Sequence, residues 1–225
     1  MKVIVTGSTG LVGSALVRQC LADDRVTHVY VLTRRPLPDD EVTNHAKATV
    51  IVHDDFSAWP AELLARLEGA EGCLWAIGGR ATQFPDIETY KRVQVDYTLA
   101  GARAFVNTLV PRLPEGKQFR FAFCSGKFAE WDQKKALHFM AETRHVKGQV
   151  EQGLCEMADA DKTKRFEVYC CRPSGILPPR AGLAARLVGK LYGAIDVDQL
   201  ARAFIRVLVE GHQERIIENA QLMRL

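Results

Sequence analysis

A glycine-rich turn between an apolar strand and a helix, close to the start of the 225-residue sequence, constrains the fold more than any other feature. Lys2–Thr6 has the pattern of a buried strand, and Leu11–Leu21 has that of a helix. The three glycines between them follow the spacing G-x-x-G-x-x-G, which permits a sharp turn, a close approach to a phosphate group and tight packing of helix on strand. Amide groups at the start of such a helix bind phosphates. The motif predicts a Rossmann-type dinucleotide-binding fold in which the pyrophosphate is held by Thr6, Gly7, Ser8, Thr9, Gly10, Leu11, Val12 and Gly13.

Short apolar runs alternate with longer amphipathic stretches along most of the remaining chain. The further strands are predicted at His28–Thr33, Thr49–Val52, Cys73–Ile77, Gln118–Cys124 and Phe166–Cys171. The helices are predicted at Ala61–Leu67, Ile87–Leu109, about Lys134–Ala158, Leu183–Tyr192 and Leu200–Glu210. Strands that alternate with helices favour right-handed crossovers and a parallel sheet covered on both faces. The sequence therefore predicts an α/β fold with a doubly wound, mostly parallel sheet, and residues 1–225 are expected to form one domain.

The end of the second predicted strand selects the dinucleotide. NAD-binding proteins usually carry an acidic residue there, which binds the ribose hydroxyls. This sequence has Arg34 and Arg35 instead, and an arginine can bind a 2′-phosphate through two parallel hydrogen bonds. We therefore predict NADP(H) rather than NAD(H) as the cofactor; two solvated loop arginines are the alternative. Asp55 and Phe56, after the third strand, are predicted to meet the adenine amino group and ring edge.

Composition excludes several classes of function. A formal net charge of +3 is too small to indicate a nucleic-acid partner or an anionic membrane surface. No apolar stretch is long enough to span a bilayer, and the start of the chain does not fit a signal peptide. The six cysteines show no metal-ligand spacing, so no metal site is expected. Reduced buried thiols are typical of cytosolic proteins, and the expected location is the cytoplasm.

The order of the motifs resembles that of the extended and atypical short-chain dehydrogenase/reductase superfamily, and most closely its small Tat-interacting-protein-like NADP(H)-binding members. The resemblance is carried by TGSTGLVG at 6–13, LTRRPL at 32–37, HDDF at 53–56, VQVDY at 93–97, CSGK at 124–127, VKGQVE at 146–151 and CRPSGIL at 171–177. It implies that Ala76, Ile77 and Gly78 pass beside the cofactor ribose. It also implies that Pro173 and Ile176 belong to a stretch that lies over the nicotinamide, and that the chain from about residue 173 contributes the substrate side.

The same resemblance assigns the catalytic residues, with one departure. Ser125 matches the serine that hydrogen-bonds the substrate carbonyl, although a serine at a strand end is also commonly a cap or loop residue. Lys147 matches the lysine that holds the nicotinamide ribose. The acid of the superfamily is a tyrosine four residues before that lysine, where this sequence has Thr143, and an aliphatic hydroxyl is far too weak an acid to replace a phenol. Four other side chains are candidate acids, each also explained as an exposed or packing residue: Tyr97, His138, Glu142 and His145.

These observations leave three functions open. The first is an NADPH-dependent reductase of a small, unidentified carbonyl or enone substrate, with altered proton delivery. The second is an NADP(H)-responsive regulatory protein that binds a protein partner and has lost catalysis. The third is a non-redox isomerase or dehydratase on the same fold, since this fold carries many chemistries.

Overall fold

A parallel sheet forms the centre of the protein, whose computed structural model describes residues 1–38, 42–179, 181–182, 189, 191 and 193–225. Within these residues the sheet has seven strands: Lys2–Thr6 (β1), His28–Thr33 (β2), Ala48–Val52 (β3), Gly72–Trp75 (β4), Phe119–Cys124 (β5), Phe166–Arg172 (β6) and Ile216–Glu218 (β9). They pair in the order β3-β2-β1-β4-β5-β6-β9, and every pairing is parallel. Two short strands, Ile176–Leu177 (β7) and Ile195–Asp196 (β8), pair with each other beside this sheet.

Helices cover both faces of the sheet, as the sequence predicts. One face carries Leu11–Ala22 (α1), which packs against β1 and β2, and Val197–Glu210 (α6), which packs against β4 and β5. The other face carries Ala61–Arg66 (α2), Ile87–Lys91 (α3), Tyr97–Thr108 (α4) and Ala141–Ala160 (α5). A short helix, Asn219–Leu222 (α7), follows β9. The doubly wound α/β fold is confirmed.

The strands are buried on both sides, which explains their nearly continuous apolar sequences. Val3, Ile4 and Val5 are 0% exposed, and their side chains alternate between the two cores. Aromatic residues dominate the core under α4, where Trp75 stacks on Phe121 with ring centroids 5.6 Å apart. Because burying an aromatic side chain removes a large apolar area from water, this core is a major source of stability.

One continuous helical segment runs from α3 to α4 through a π turn at Arg92–Asp96. The amide of Tyr97 donates to the carbonyl of Arg92, five residues back instead of four. The Thr98 hydroxyl donates to the carbonyl of Gln94 at 2.7 Å. The predicted helix over 87–109 is therefore confirmed, with one wide turn that the sequence pattern did not reveal.

One predicted helix begins later than expected, and one short edge strand was not predicted. The helix expected from about residue 134 begins at Ala141, because Met140 has a left-handed backbone (φ 46°) and the preceding residues form turns. In one of these turns the amide of Lys134 donates to the carboxylate of Asp132. The edge strand β9 has only three residues, too few to show a periodic pattern. The helix expected over 183–192 falls largely outside the described residues.

Candidate cofactor and active site

The carboxyl ends of the parallel strands meet at one edge of the sheet, and the sheet order reverses between β1 and β4 at this edge. Such a switch point is where open α/β sheets bind their ligands. Thr6 ends β1, and its hydroxyl accepts a hydrogen bond from the amide of Ala76, directly after β4, at 3.2 Å. Ser125 follows β5 and Pro173 follows β6 at the same edge. The topology thus brings Thr6, Ala76 and Pro173, assigned to the cofactor, to the same edge as Ser125, assigned to catalysis.

Two of the three loop glycines are required by the protein's own backbone. Gly7 has φ +70°, and a Cβ on it would lie 2.4 Å from the carbonyl oxygen of Ala76. A Cβ on Gly13 would lie 2.0 Å from the carbonyl oxygen of Gly7. At Gly10 the nearest atom to an added Cβ is the Gly7 oxygen at 3.3 Å, a much milder contact. The roles predicted for Gly7 and Gly13 are therefore explained by packing, whereas Gly10 is explained better by a ligand that approaches the loop.

The start of α1 is electropositive and has no capping side chain. Gly10 is the N-cap residue, and the first turn carries no acidic residue. The first amides of any α-helix lack partners within the helix, and the helix dipole adds positive potential there. Ser8 lies beside them, 9% exposed, and its hydroxyl is buried without a hydrogen-bond partner. Unpaired donors together with an orphaned hydroxyl fit a pyrophosphate group.

The exposed surface of this loop also fits a ligand. Thr9 is exposed, and Leu11 is 42% exposed although it is a large apolar side chain. Val12, next to it, packs partly against the core under α1. The loop thus presents polar amides with an apolar rim.

Arg34 and Arg35 are both exposed, directly after β2. The hydroxyl of Thr33 donates to the carbonyl of Arg35 at 2.9 Å and fixes the turn that carries them. In the described part of the chain, neither guanidinium is engaged by a carboxylate. Both are therefore available to an anionic ligand.

The two residues predicted to meet the adenine differ in exposure. Asp55 is exposed and accepts hydrogen bonds from the amide and hydroxyl of Ser57, which hold the pKa of its carboxyl below the usual value. Phe56 is only 1% exposed, and its ring packs against Trp59 and Trp75. The Phe56 side chain is thus held in the apolar core, which leaves its ring unavailable to an adenine, whereas Asp55 is exposed.

The segment after β4 is held in place by the side chain of Gln94, a residue that was not predicted to belong to the site. Gln94 is 0% exposed, and its Oε1 accepts from the amide of Gly79 at 3.2 Å. Gly78 has φ +131°, and a Cβ there would lie 2.2 Å from this oxygen. The Nε2 of Gln94 is buried without a partner. The only sequence signal for Gln94 was its place in the VQVDY stretch.

Lys147 lies on α5 and points toward the end of β5. Its Nζ donates to the carbonyl of Cys124 at 3.1 Å and lies 5.4 Å from the centre of the Phe123 ring. Burial lowers the pKa of its ammonium group, although nearby Cys124 and Glu151 act in the opposite direction. A Cβ on Gly126 would lie 3.3 Å from the Lys147 side chain. The position that faces the lysine is therefore 126, where this chain has no side chain.

Ser125 is engaged elsewhere. It is 4% exposed, and its hydroxyl donates to Oε1 of Glu151 at 2.5 Å. Glu151 is 0% exposed and also accepts from Nε1 of Trp131 at 2.8 Å and from Nε and Nη2 of Arg172 at 2.9 and 2.5 Å. The expected role of Ser125 in polarising a substrate oxygen does not agree with this geometry, because a buried ionic cluster holds the hydroxyl. Neither Glu151 nor Arg172 was predicted.

Thr143 also has a structural role. Its side chain is one turn before Lys147 on α5, as the spacing predicts, and it is 6% exposed. Its Oγ1 accepts from the amide of Ala81 at 3.0 Å, and the hydroxyl of Tyr90 donates to the carbonyl of Gly79 at 3.4 Å. Burial raises the pKa of the Tyr90 phenol, which makes it a weaker acid. Thr143 therefore anchors the short 3-10 turn at Ala81–Gln83 and supplies no acid.

The other candidate acids stay apart from the lysine. His138 and Glu142 are exposed, His138 before the start of α5 and Glu142 in its first turn. Tyr97 packs against Phe56 in the core. His145 is half-buried, and its Nε2 has no partner. Among the described residues, no hydrogen bond joins any of these side chains to Lys147.

The stretch after β6 follows the carboxyl end of that strand, at the edge of the sheet where the glycine loop also lies. The carbonyl of Pro173 accepts from the amide of Lys127, which ties this stretch to the loop after β5. Ile176 is half-buried and pairs with Ile195 in the short second sheet. Pro173 and Ile176 therefore border the same edge as Lys147.

Comparison with solved structures identifies the fold. A short-chain dehydrogenase from Burkholderia cenocepacia, crystallised with NADP, superposes with a TM-score of 0.66 at 19% identity and covers 96% of this chain and 86% of its own. The chain has the short-chain dehydrogenase/reductase fold. The carbonyl reductase Sniffer of Drosophila melanogaster shares this fold with a TM-score of 0.75 at 14% identity, covering 97% of this chain and 96% of its own.

Comparison of sequences finds fewer similar proteins than comparison of structures does. No family model matches the chain. Leucinostatins biosynthesis cluster protein T of Purpureocillium lilacinum is 33% identical over 191 residues, which cover 77% of this chain. The same alignment covers 64% of that protein, so the chain spans less than two thirds of this relative's length. Within the described residues, no helix of this short-chain dehydrogenase/reductase fold has both the length and the apolar character to cross a membrane.

Proposed function

We propose that the protein binds NADP(H), with the pyrophosphate on the loop Thr6–Gly13. The buried hydroxyl of Ser8, orphaned beside the uncapped start of α1, is the observation that carries this proposal. A pyrophosphate supplies the acceptors that these donors lack. The NADP bound to the Burkholderia short-chain dehydrogenase supports the same ligand on the same fold.

The phosphorylated dinucleotide is preferred because of the residues after β2. Arg34 and Arg35 are exposed, and they place two guanidinium groups at the position where NAD-binding proteins usually have a carboxylate. A 2′-phosphate between them forms charge-assisted hydrogen bonds, which are stronger than those between neutral groups. NADH lacks this phosphate and gains nothing from the two arginines.

The proposed reaction is hydride transfer between the nicotinamide and a small carbonyl or enone. The bound cofactor supplies the hydride, and this chain's residues supply position and the proton. Lys147 orients the ribose and donates the proton, because its lowered pKa makes the ammonium a stronger acid than an ordinary lysine. Gly126 leaves room beside it for the substrate oxygen. The carbonyl reductase name of Sniffer and the biosynthetic name of the Purpureocillium relative support an enzyme of this kind.

Cofactor binding is tested by titrating NADPH and NADH into the wild type and into Arg34→Ala and Arg35→Ala. We expect NADPH to bind the wild type more tightly than NADH, and each substitution to weaken NADPH binding about tenfold, the effect of one lost hydrogen bond to a charged group. NADH affinity should stay unchanged. Arg112→Ala, which removes an exposed arginine far from β2 in sequence, is the matched control. Equal affinities for the two nucleotides in every variant would refute the choice of NADP(H).

Catalysis is tested by NADPH oxidation with a panel of small ketones, aldehydes and enones. Lys147→Met is expected to abolish turnover. Lys147→Arg is expected to bind NADPH, but its rate should no longer depend on the ionisation of a group with a lowered pKa. Tight NADPH binding with no oxidation across the panel would remove the proposed reaction and leave the binding proposal intact.

A second function is favoured by the engaged hydroxyls of Ser125 and Thr143. If neither acts as an acid or a hydrogen-bond donor to substrate, the fold can serve as an NADP(H)-responsive binding protein. All six cysteines are free, which suits the reducing conditions of the proposed cytoplasmic location. This function predicts that NADPH changes the affinity for a protein partner, measured by pull-down with and without the nucleotide. It also predicts that no NADPH oxidation is detected in the reductase assay.

A further inference from the structure

The loop between β5 and α5 carries large apolar side chains that solvent reaches. Phe128 is 54% exposed, Phe139 is 64% exposed and Met140 is 38% exposed. Arg144, in the first turn of α5, joins the two ends of this loop. Its Nε donates to the carbonyl of Phe128 at 2.8 Å, and its Nη1 donates to the carbonyl of Phe139 at 3.4 Å. The two aromatic residues are therefore neighbours on the surface, and a group of exposed apolar side chains is typical of a binding site.

The Phe128 ring is kept in solvent by its backbone. Phe128 has φ 67°, in the left-handed region that a bulky side chain rarely adopts. The next residues are docked on α5, because the amide of Glu130 donates to the carbonyl of Arg144 at 2.9 Å and a Cβ on Gly148 would lie 1.8 Å from the carbonyl oxygen of Glu130. An exposed ring on a strained backbone contributes little to folding, so its position is explained better by a ligand.

Two cations lie beside this ring. The Nζ of Lys127 is 4.8 Å from the centre of the Phe128 ring, and the guanidinium carbon of Arg144 is 5.7 Å from it. Over the described ranges of the chain, no carboxylate forms an ion pair with either cation. The acidic side chain of the same loop, Glu130, is held by Lys135 at 2.6 Å. The ring therefore lies in a positive potential that the protein does not neutralise.

The loop borders the position proposed for the reacting carbonyl. A Cβ on Gly126, two residues before Phe128, would lie 3.3 Å from the Lys147 side chain. The amide of Lys127 donates to the carbonyl of Pro173 at 2.8 Å, which fixes the loop to the stretch after β6. Arg144 precedes Lys147 by three residues on α5, so their side chains lie on one face of the helix. A substrate whose carbonyl oxygen meets Lys147 thus has Phe128 beside its other end.

We propose that Phe128, Lys127 and Arg144 bind the end of the substrate remote from the carbonyl, and that this end is an apolar group carrying a carboxylate. This inference rests on the proposed reductase function. The apolar group packs on the Phe128 ring and removes its exposed surface from water. The carboxylate accepts a charge-assisted hydrogen bond from the ammonium or the guanidinium. The substrate class is therefore narrower than small carbonyl compounds in general: it is that of apolar aldehydes and ketones with an acidic group.

The test compares 4-carboxybenzaldehyde with its neutral methyl ester, methyl 4-formylbenzoate, as substrates of the full chain with NADPH. We expect the acid to have a KM at least about tenfold lower than that of the ester, the effect of one hydrogen bond to a charged group. Lys127→Gln and Arg144→Gln should each raise the KM of the acid about 3–10-fold and leave that of the ester unchanged. Phe128→Gly, which suits the left-handed backbone, should raise the KM of both compounds. Lys134→Gln removes an exposed lysine of the same loop and is the matched control, with no expected change.

A binding measurement separates this inference from the proposed reaction. The acid and the ester are titrated calorimetrically into the protein, with and without saturating NADP⁺, which has no hydride to transfer. Tighter binding of the acid that is lost in Lys127→Gln, together with no NADPH oxidation, would remove the reaction and support the inference. Equal affinities for acid and ester, or no binding of either, would overturn the inference whether or not turnover is seen. An equal loss in Lys134→Gln and Lys127→Gln would also overturn it, because the effect would then come from overall charge.

Discussion

Replacing Glu151 by glutamine tests the ionic cluster behind the candidate active site. The carboxylate is 0% exposed and accepts four hydrogen bonds, two of them from Arg172, whose side chain is 14% exposed. Breaking a buried ion pair by removing one partner costs about 3–5 kcal/mol, because the other charge is left buried and uncompensated. The remaining partner of Arg172 is Glu218, which is 49% exposed and offsets little of this cost.

The assay is urea unfolding followed by tryptophan fluorescence, together with thermal unfolding. For a chain of this size, 3–5 kcal/mol corresponds to a fall in Tm of roughly 6–20 °C. Glu218→Gln removes the exposed partner of the same arginine and is expected to cost less than about 1 kcal/mol. The double variant Glu151→Gln, Arg172→Met leaves no buried unpaired charge, since Glu218 is exposed, and should be more stable than Glu151→Gln alone.

Two results would refute this reasoning. A loss below about 1 kcal/mol for Glu151→Gln, similar to that of an exposed ion pair, would mean that the cluster is solvated. A double variant less stable than Glu151→Gln would mean that Arg172 stabilises the fold through contacts other than the carboxylate.

Thr143→Tyr is expected to lower the free energy of unfolding by about 1–3 kcal/mol, measured by urea unfolding, because a larger side chain at this 6% exposed position must displace the turn at Ala81. In the same assay Thr143→Ser should have nearly the stability of the wild type. Gly13→Ala should prevent the native loop from forming, seen as a loss of soluble folded protein by circular dichroism, since its Cβ would lie 2.0 Å from a main-chain carbonyl oxygen of the same loop. Burial raises the pKa of Asp161, but hydrogen bonds from Thr163 and two backbone amides outweigh it, so the folded-state pKa lies below 3.8. The stability from Asp161 is therefore present above that value and lost as the pH falls through the folded-state pKa, and the deficit of Asp161→Ala against the wild type should shrink in acid urea titrations.

The strands and the glycine loop were predictable because their signals are local. Lys2–Thr6 and His28–Thr33 are strands at the bounds that the sequence predicted, since both are continuous apolar runs between turns. The spacing of Gly7 and Gly13 reports a backbone contact between residues only six apart. Such features need no knowledge of the remaining chain.

The candidate active site was less predictable because its contacts are distant in sequence. Ser125 and Glu151 are 26 residues apart and lie on different elements, so no local pattern joins them. Lys147 was assigned from the resemblance and does lie at the expected edge, but the neighbour it faces is Gly126, not Ser125. Thr143 stands where the resemblance expects a tyrosine, and its hydrogen bond to Ala81, 62 residues away, required the folded chain.

The wide turn at Arg92–Asp96 has a consequence for how this domain tolerates insertion and deletion. Removing one residue from this turn would restore the regular i→i−4 hydrogen bonds, and the helix on either side would keep its place while the residues inside the turn moved around the axis. Gln94 would then swing away from beneath Gly78, and Gly79 would lose the amide oxygen that holds its N–H. A length change of a single residue, far from the glycine loop in sequence, would thus uncouple the segment at Gly78 and Gly79 from the helix that supports it.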